Sequence, residues 1–163
     1  FSKAHTDSFK KAFKGKIAHE TLILSPESDV STEVAKISAA KVDAIYSPDI
    51  SFFFAGGVTK LTQYKVTAPV FSTYVAELPV ARELVPGVYY SYPGDLDGDG
   101  GAVFELSKQA SRLLTGTVLE CRGAYGCVKD ELNSSGLFDE NGVYKRSLIL
   151  KQIKNGQPVV VFQ

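Results

Sequence analysis

The sequence predicts a three-layer α/β/α sandwich on a mostly parallel sheet, finished by C-terminal helices and a β-hairpin, and three observations predict it. Short apolar runs alternate with segments of helical period, the pattern of successive βα units. Two of the runs, Val42, Ala44, Ile45 and Tyr46 in KVDAIYSPDI and Val70 and Phe71 in APVFSTY, lack the polar alternation of a half-exposed strand. That is expected of strands covered on both faces. The chain closes on two β runs around Asn155-Gly156, the dipeptide favoured in a type I′ hairpin turn.

The elements follow in order. Residues 4–13 put Phe9, Ala12 and Phe13 at i, i+3 and i+4 with Lys10, Lys11 and Lys14 on the other face, an amphipathic helix that Gly15 ends. Residues 16–24 read as a strand carrying Ile17, Leu22, Ile23 and Leu24, and SPESD as a loop. Ser31 stands where an N-cap belongs, with Glu33 in the first turn and Val30, Val34, Ile37 and Ala40 as an apolar stripe, so a second helix runs to Ala40. Residues 41–46 form the next strand, and 51–64 a third helix with Phe54, Val58 and Leu61 on one side. Gly56 and Gly57 inside that helix each cost about 1 kcal/mol against alanine, which points to close packing or a ligand approach there. A strand at 68–71, a short helix at 78–84 and a strand at 87–92 complete the series, an alternation that implies right-handed crossovers. At Pro93 the character changes to an acidic loop, GDLDGDGG. It is followed by a helix over 102–114, where Val103, Leu106, Ala110 and Leu113 share a face, and another over 124–132. The expected organisation is an α/β lobe at 1–92 and, at 93–163, the acidic loop, crossing helices and terminal hairpin.

At 163 residues with 44% hydrophobic content, the chain can bury a real core. Lys plus Arg equals Asp plus Glu at 18 each, so no net field draws nucleic acid or an anionic membrane. The apolar runs are far shorter than a membrane span. Phe1 opens directly into a helical pattern and the chain has no methionine, so it is expected to belong to a longer protein.

In open α/β sheets ligands bind outside the carboxyl ends of the strands. Ser47, Pro48 and Asp49, after one predicted strand, and Ser72, Thr73 and Tyr74, at the end of another, are therefore the site candidates. Asp49 has two compatible roles, holding a ligand cation and capping the helix at Ser51, with capping the main one. Phe52, Phe53 and Phe54 are read as core and interface rather than as a binding stripe. Asp95, Asp97, Asp99 and Gly100 match the opening of a calcium loop, but its twelfth position is Leu106, with Glu105 one short, so a solvated hinge loop is preferred and no metal is assigned. Cys121 and Cys127 are read as two half-buried thiols, with a local disulfide as the alternative. His5 and His19 are far apart, no Ser or Cys has a recognisable His/Asp set, and no Gly-rich phosphate fingerprint follows a strand. The chain is thus read as a non-enzyme with no cofactor.

The order of FSKAHTDSFKKAF, SDVSTEVAKISAAKVDAIYSP, APVFSTY, GVYYSYP and GLFDENGVYKRSLILKQIKNGQPVVV resembles one family, the type I periplasmic solute-binding proteins of the branched-chain amino acid transport type, related to receptor ligand-binding regions. The resemblance implies two α/β lobes joined by three strands that close over a small ligand. This chain corresponds mainly to the second lobe, as a fragment or a shortened form. It also implies a periplasmic or extracellular location, with a lipid anchor on a preceding segment as one form, and delivery of the solute to an ABC permease. The expected partner is the missing first lobe or a second copy in a homo-dimer, with no nucleic acid and no membrane span. A receptor or sensor module, or a self-associating lobe, is the alternative reading. Phe1 matches an aromatic position lining the cleft. Ile50, beside Asp49, matches a loop position that packs on the ligand, and Tyr74 stands where amino-acid binders carry an acidic residue. With Ser47 and Thr73 these complete the expected ligand-binding set. Its aromatic walls also suit an aromatic acid, an amide or a small organic ion.

Overall fold

The computed structural model describes residues 2–94, 96, 102–140 and 144–162. Five strands form one sheet in the order β1 (Ile45–Tyr46), β2 (Val70–Ser72), β3 (Tyr89–Pro93), β4 (Leu148–Lys154) and β5 (Gln157–Phe162). The pairs β1/β2 and β2/β3 are parallel, and β4/β5 is an antiparallel hairpin. Between them run α1 (Ser2–Ala12), α2 (Ser31–Ala40), α3 (Ser51–Phe54), α4 (Gly57–Gln63), a 3-10 turn (Tyr74–Glu77), α5 (Pro79–Arg82), α6 (Ala102–Glu120) and α7 (Tyr125–Ser134). The α/β class with its parallel strands and terminal hairpin is as the sequence predicts.

The chain divides into two compact units, one of Phe1–Tyr92 with Ile149–Gln163 and one of Pro93–Leu148. The hairpin, grouped by sequence with residues 93–163, therefore belongs with the first unit, whose sheet it extends. In that unit the register aligns Tyr46, Phe71 and Tyr89 along one face, where the Phe71 and Tyr89 rings stack at 5.4 Å and Phe9 of α1 stacks on Tyr46 at 4.5 Å. The alternate residues Val70, Ser72, Val88, Tyr90 and Tyr92 are buried, as the period of two along a strand requires. In the second unit α6 and α7 pack together, yet α7 has no buried residue.

Four expectations are corrected. Residues 16–24 carry no strand, and Leu22 and Leu24 are 76% and 83% exposed. Strand propensity acts only where a partner supplies hydrogen bonds and cover, and β1 is the sheet edge among the described residues. The segment is tied instead by an ion pair of Lys10 with Glu20 (2.8 Å) and a hydrogen bond between His19 Nε2 and Glu33 Oε2 (2.7 Å). Secondly, the helix expected over 51–64 is two helices. Gly56 interrupts it at φ +72, and a Cβ on Gly57 would collide with the buried Phe52 ring, so close packing explains the second glycine. Thirdly, Ser31 is not the cap of α2. Its N–H donates to Asp29 Oδ1 at 2.9 Å. Fourthly, Cys121 and Cys127 are joined in a disulfide with Cα atoms 5.6 Å apart, a separation the turn between α6 and α7 creates. The hairpin turn has positive φ at both Asn155 and Gly156, the geometry of type I′.

Candidate functional site

Because β1 and β2 are parallel, with Tyr46 opposite Phe71, the residues that follow them leave the sheet at the same edge. The strand pairing continues one step past β1, where Ser47 N–H donates to the Phe71 carbonyl at 2.9 Å. Side chains then join the two tips. Ser72 Oγ donates to the Ser47 carbonyl at 2.8 Å and Thr73 Oγ1 to the Pro48 carbonyl at 3.2 Å. Pro48, Ser72 and Thr73 are buried, so the Thr73 bond satisfies a buried carbonyl and the Ser72 bond a half-buried one. Within the first tip, Ser47 Oγ donates to the Asp49 carbonyl at 3.3 Å. Asp49 Oδ1 accepts both the Ser51 N–H and the Ser51 hydroxyl at 2.7 Å. The helix-capping role expected of Asp49 is thus what the geometry shows, and it repeats the arrangement of Asp29 with Ser31.

The structure therefore brings Ser47, Pro48, Asp49, Ile50, Ser72, Thr73 and Tyr74 together at one rim. Their hydroxyls act mainly as staples, which leaves Ile50 and Tyr74, both half-buried, as the apolar and aromatic parts of the rim. Phe1 lies outside the described residues, as do Asp95, Asp97, Asp99 and Gly100 of the acidic loop. Glu105, the nearest carboxylate to that loop's missing position, is buried and paired with Lys108 at 2.8 Å. Among the described residues, a cavity of about 450 Å³ lies between α6 and α7, lined by Leu114, Val118, Tyr125, Val128 and Leu132. A smaller one of about 270 Å³ lies beside Lys41 and Lys65, before the starts of β1 and β2. Of the three places, the rim is where the strand ends deliver polar groups, Ser47 and Asp49 after β1 and Ser72 and Thr73 at the end of β2.

Sequence reasoning missed a buried charged cluster beside this rim. Glu77, at the end of the 3-10 turn that Tyr74 begins, is 8% exposed. Its Oε2 accepts the Tyr90 hydroxyl at 3.0 Å and lies 3.2 Å from Lys151 Nζ on β4. The Lys151 ammonium also sits 3.4 Å from the centre of the Tyr92 ring, a cation–π contact. Burial and the adjacent Glu77 carboxylate push the Tyr90 phenol far up, so it stays a hydrogen-bond donor. Two signals pointed here: Tyr90 and Tyr92 alternating on one strand with polar tips that need partners once buried, and a lone lysine inside the apolar run LILKQI.

Neither protein-family models nor curated proteins match the sequence. Solved structures do match. A solute-binding protein of an ABC transporter from R. palustris, in complex with benzoate, superposes with a TM-score of 0.71 at 18% identity, over 98% of this chain and 54% of that one. The fold is that of a type I periplasmic binding protein. A leucine-binding protein from Thermotoga maritima shares this type I fold with a TM-score of 0.67 at 17% identity, over 81% of this chain and 47% of its own. An extracellular ligand-binding receptor from Rhodopseudomonas palustris HaA2 shares it with a TM-score of 0.53 at 18% identity, over 83% and 52%. The chain thus spans about half the length of the type I structures it matches. In that fold the β1/β2 rim belongs to one α/β lobe.

Proposed function

We propose that this chain supplies one wall of the ligand cleft of an extracytoplasmic solute-binding protein, which captures a small solute and delivers it to an ABC permease. The observation that carries this reading is the shared edge of β1 and β2, where Ser47, Asp49, Ile50, Thr73 and Tyr74 converge on loops already tied to each other. A preordered rim loses little conformational entropy when a ligand arrives, which favours binding. The type I fold of neighbours that bind benzoate or leucine supports a small organic ligand. Phe1 enters the proposal on the sequence resemblance alone. The opposite wall comes from a complementary lobe, and the ligand acts by stabilising the closed arrangement of the two walls rather than by undergoing chemistry.

Tyr74 favours an aromatic or apolar carboxylic acid over a simple α-amino acid, since a phenol does not neutralise an ammonium group as a carboxylate does. The test is thermal unfolding of the chain, and of the chain within its full-length protein, with benzoate, leucine and phenylalanine as probes. A ligand held at about 100 times its dissociation constant adds about 2.7 kcal/mol to folded stability. The midpoint is expected to rise with benzoate in the full-length protein, and Tyr74→Ala to abolish the rise. A full-length protein whose midpoint moves with none of the three, or equally with and without Tyr74, overturns the reading.

A further inference from the structure

The cluster around Glu77 is not needed to close the rim, yet it is built from three separate parts of the chain: the 3-10 turn, β3 and β4. A buried carboxylate is costly to hold unless it is paired and hydrogen-bonded, and a half-buried ammonium shares part of that cost. Here both conditions are met, with Lys151 Nζ at 3.3 and 3.2 Å from the two Glu77 oxygens and the Tyr90 hydroxyl at 3.0 Å. The Glu77 main chain is held as well, since Arg82 Nε donates to its carbonyl at 2.9 Å. The turn that these contacts anchor is only four residues long, and the Ala76 N–H bond to the Thr73 carbonyl, at 3.1 Å, ties it to the rim. Tyr74 opens that turn and Glu77 closes it, so fixing Glu77 fixes the base on which Tyr74 stands.

Where Lys151 comes from matters equally. Ile153 N–H donates to the Val88 carbonyl at 3.0 Å and Gly87 N–H to the Ile153 carbonyl at 2.8 Å. This antiparallel pairing of β4 with β3 places Lys151 and Tyr90 on one face, two residues further on. The chain leaves the first unit after Tyr92 and returns to it at Ile149. Glu77 is therefore bonded to the two strands through which the chain passes between units.

The geometry points to Glu77 and Lys151 as a positioning pair that sets the Tyr74 turn by reference to β3 and β4, so that the ligand rim and the connecting strands respond together. The consequence for ligand binding rests on the proposed function, whereas the positioning itself is measurable without any ligand. Lys151→Met, Glu77→Gln, the double variant and the charge-preserving Lys151→Arg are compared in the 163-residue chain by amide hydrogen exchange and thermal midpoint. Lys151→Met and Glu77→Gln are expected to speed exchange of the 73–78 amides about tenfold, with the 31–40 amides of α2 changed less than about twofold. Lys151→Arg is expected to restore most of the protection. If a single variant fails to fold, the double variant, which leaves no uncompensated charge, carries the same test. Unchanged exchange at 73–78, or an equal rise in both segments, overturns the pair as a positioning device. In the full-length protein with benzoate, a midpoint shift that Tyr74→Ala removes and Lys151→Met leaves whole overturns the coupling. Loss of local protection with no benzoate shift in any variant supports the positioning pair while rejecting the ligand reading.

Discussion

Thr73 shows how a residue chosen as a ligand contact can matter first as a fastening. Its hydroxyl donates to the carbonyl of the buried Pro48. Thr73→Val keeps the shape and deletes the donor, leaving the Pro48 carbonyl unsatisfied, and it is expected to lower stability by about 1–3 kcal/mol in urea unfolding. Asp29 carries a pH dependence of known sign. Hydrogen bonds from Ser31 hold its carboxyl below the ordinary aspartate range, so its folded value lies under its unfolded one. The stabilisation is complete above the ordinary range and is lost as pH falls through the lowered value. The difference in thermal midpoint between wild type and Asp29→Asn is therefore expected to be full at neutral pH and to close below about pH 4. The residue types at both tips were legible, because Ser, Thr, Asp and Pro after an apolar run mark a strand end. Their bonding partners were not legible, since Thr73 and Pro48 lie 25 residues apart and meet only through strand register.

Among the elements, the break between α3 and α4 shows packing overruling helical period. The periodicity of Phe54, Val58 and Leu61 continues through Gly56 and Gly57, but the backbone turns left-handed at Gly56, and Phe52 fills the space where a Gly57 Cβ would go. Gly57→Ala removes a helix-weakening residue yet overpacks a buried ring. It is expected to destabilise by about 1–3 kcal/mol, read from the denaturation midpoint, where helix propensity alone predicts a gain. The segment 16–24 errs the other way. Ile17, Leu22, Ile23 and Leu24 have strand-forming composition, yet a strand also needs a hydrogen-bonded neighbour, which local sequence does not specify. The hairpin was legible because its turn signal is local: Asn155 and Gly156 adopt the positive φ angles that their residue types favour.

For the whole molecule, the two units differ in how they are held. The first buries Val34, Phe53, Val85, Val88 and Tyr90 almost completely, whereas the second relies on α6, α7 and the Cys121–Cys127 bridge, with Leu119 and Tyr125 exposed at 72% and 81%. Replacing both cysteines by serine opens a short loop, worth about 2 kcal/mol in the loop-closure model. Hydrogen exchange is expected to show α7 losing protection while β2 and β3 keep theirs, and equal loss in both units would contradict this. What the sequence by itself determined is the set of elements whose cause is local: the alternation of helices with apolar strands, the strand ends at Ser47 and Ser72, and the hairpin turn. The tertiary structure alone decided which strand ends share an edge, which cysteines bond, where the hairpin is placed, and that Glu77 meets Lys151 across 74 residues of chain. The physical reason is that dihedral preference and hydrophobic period act over a few neighbouring residues, whereas register and the neutralisation of a buried charge depend on groups that only the assembled sheet brings together.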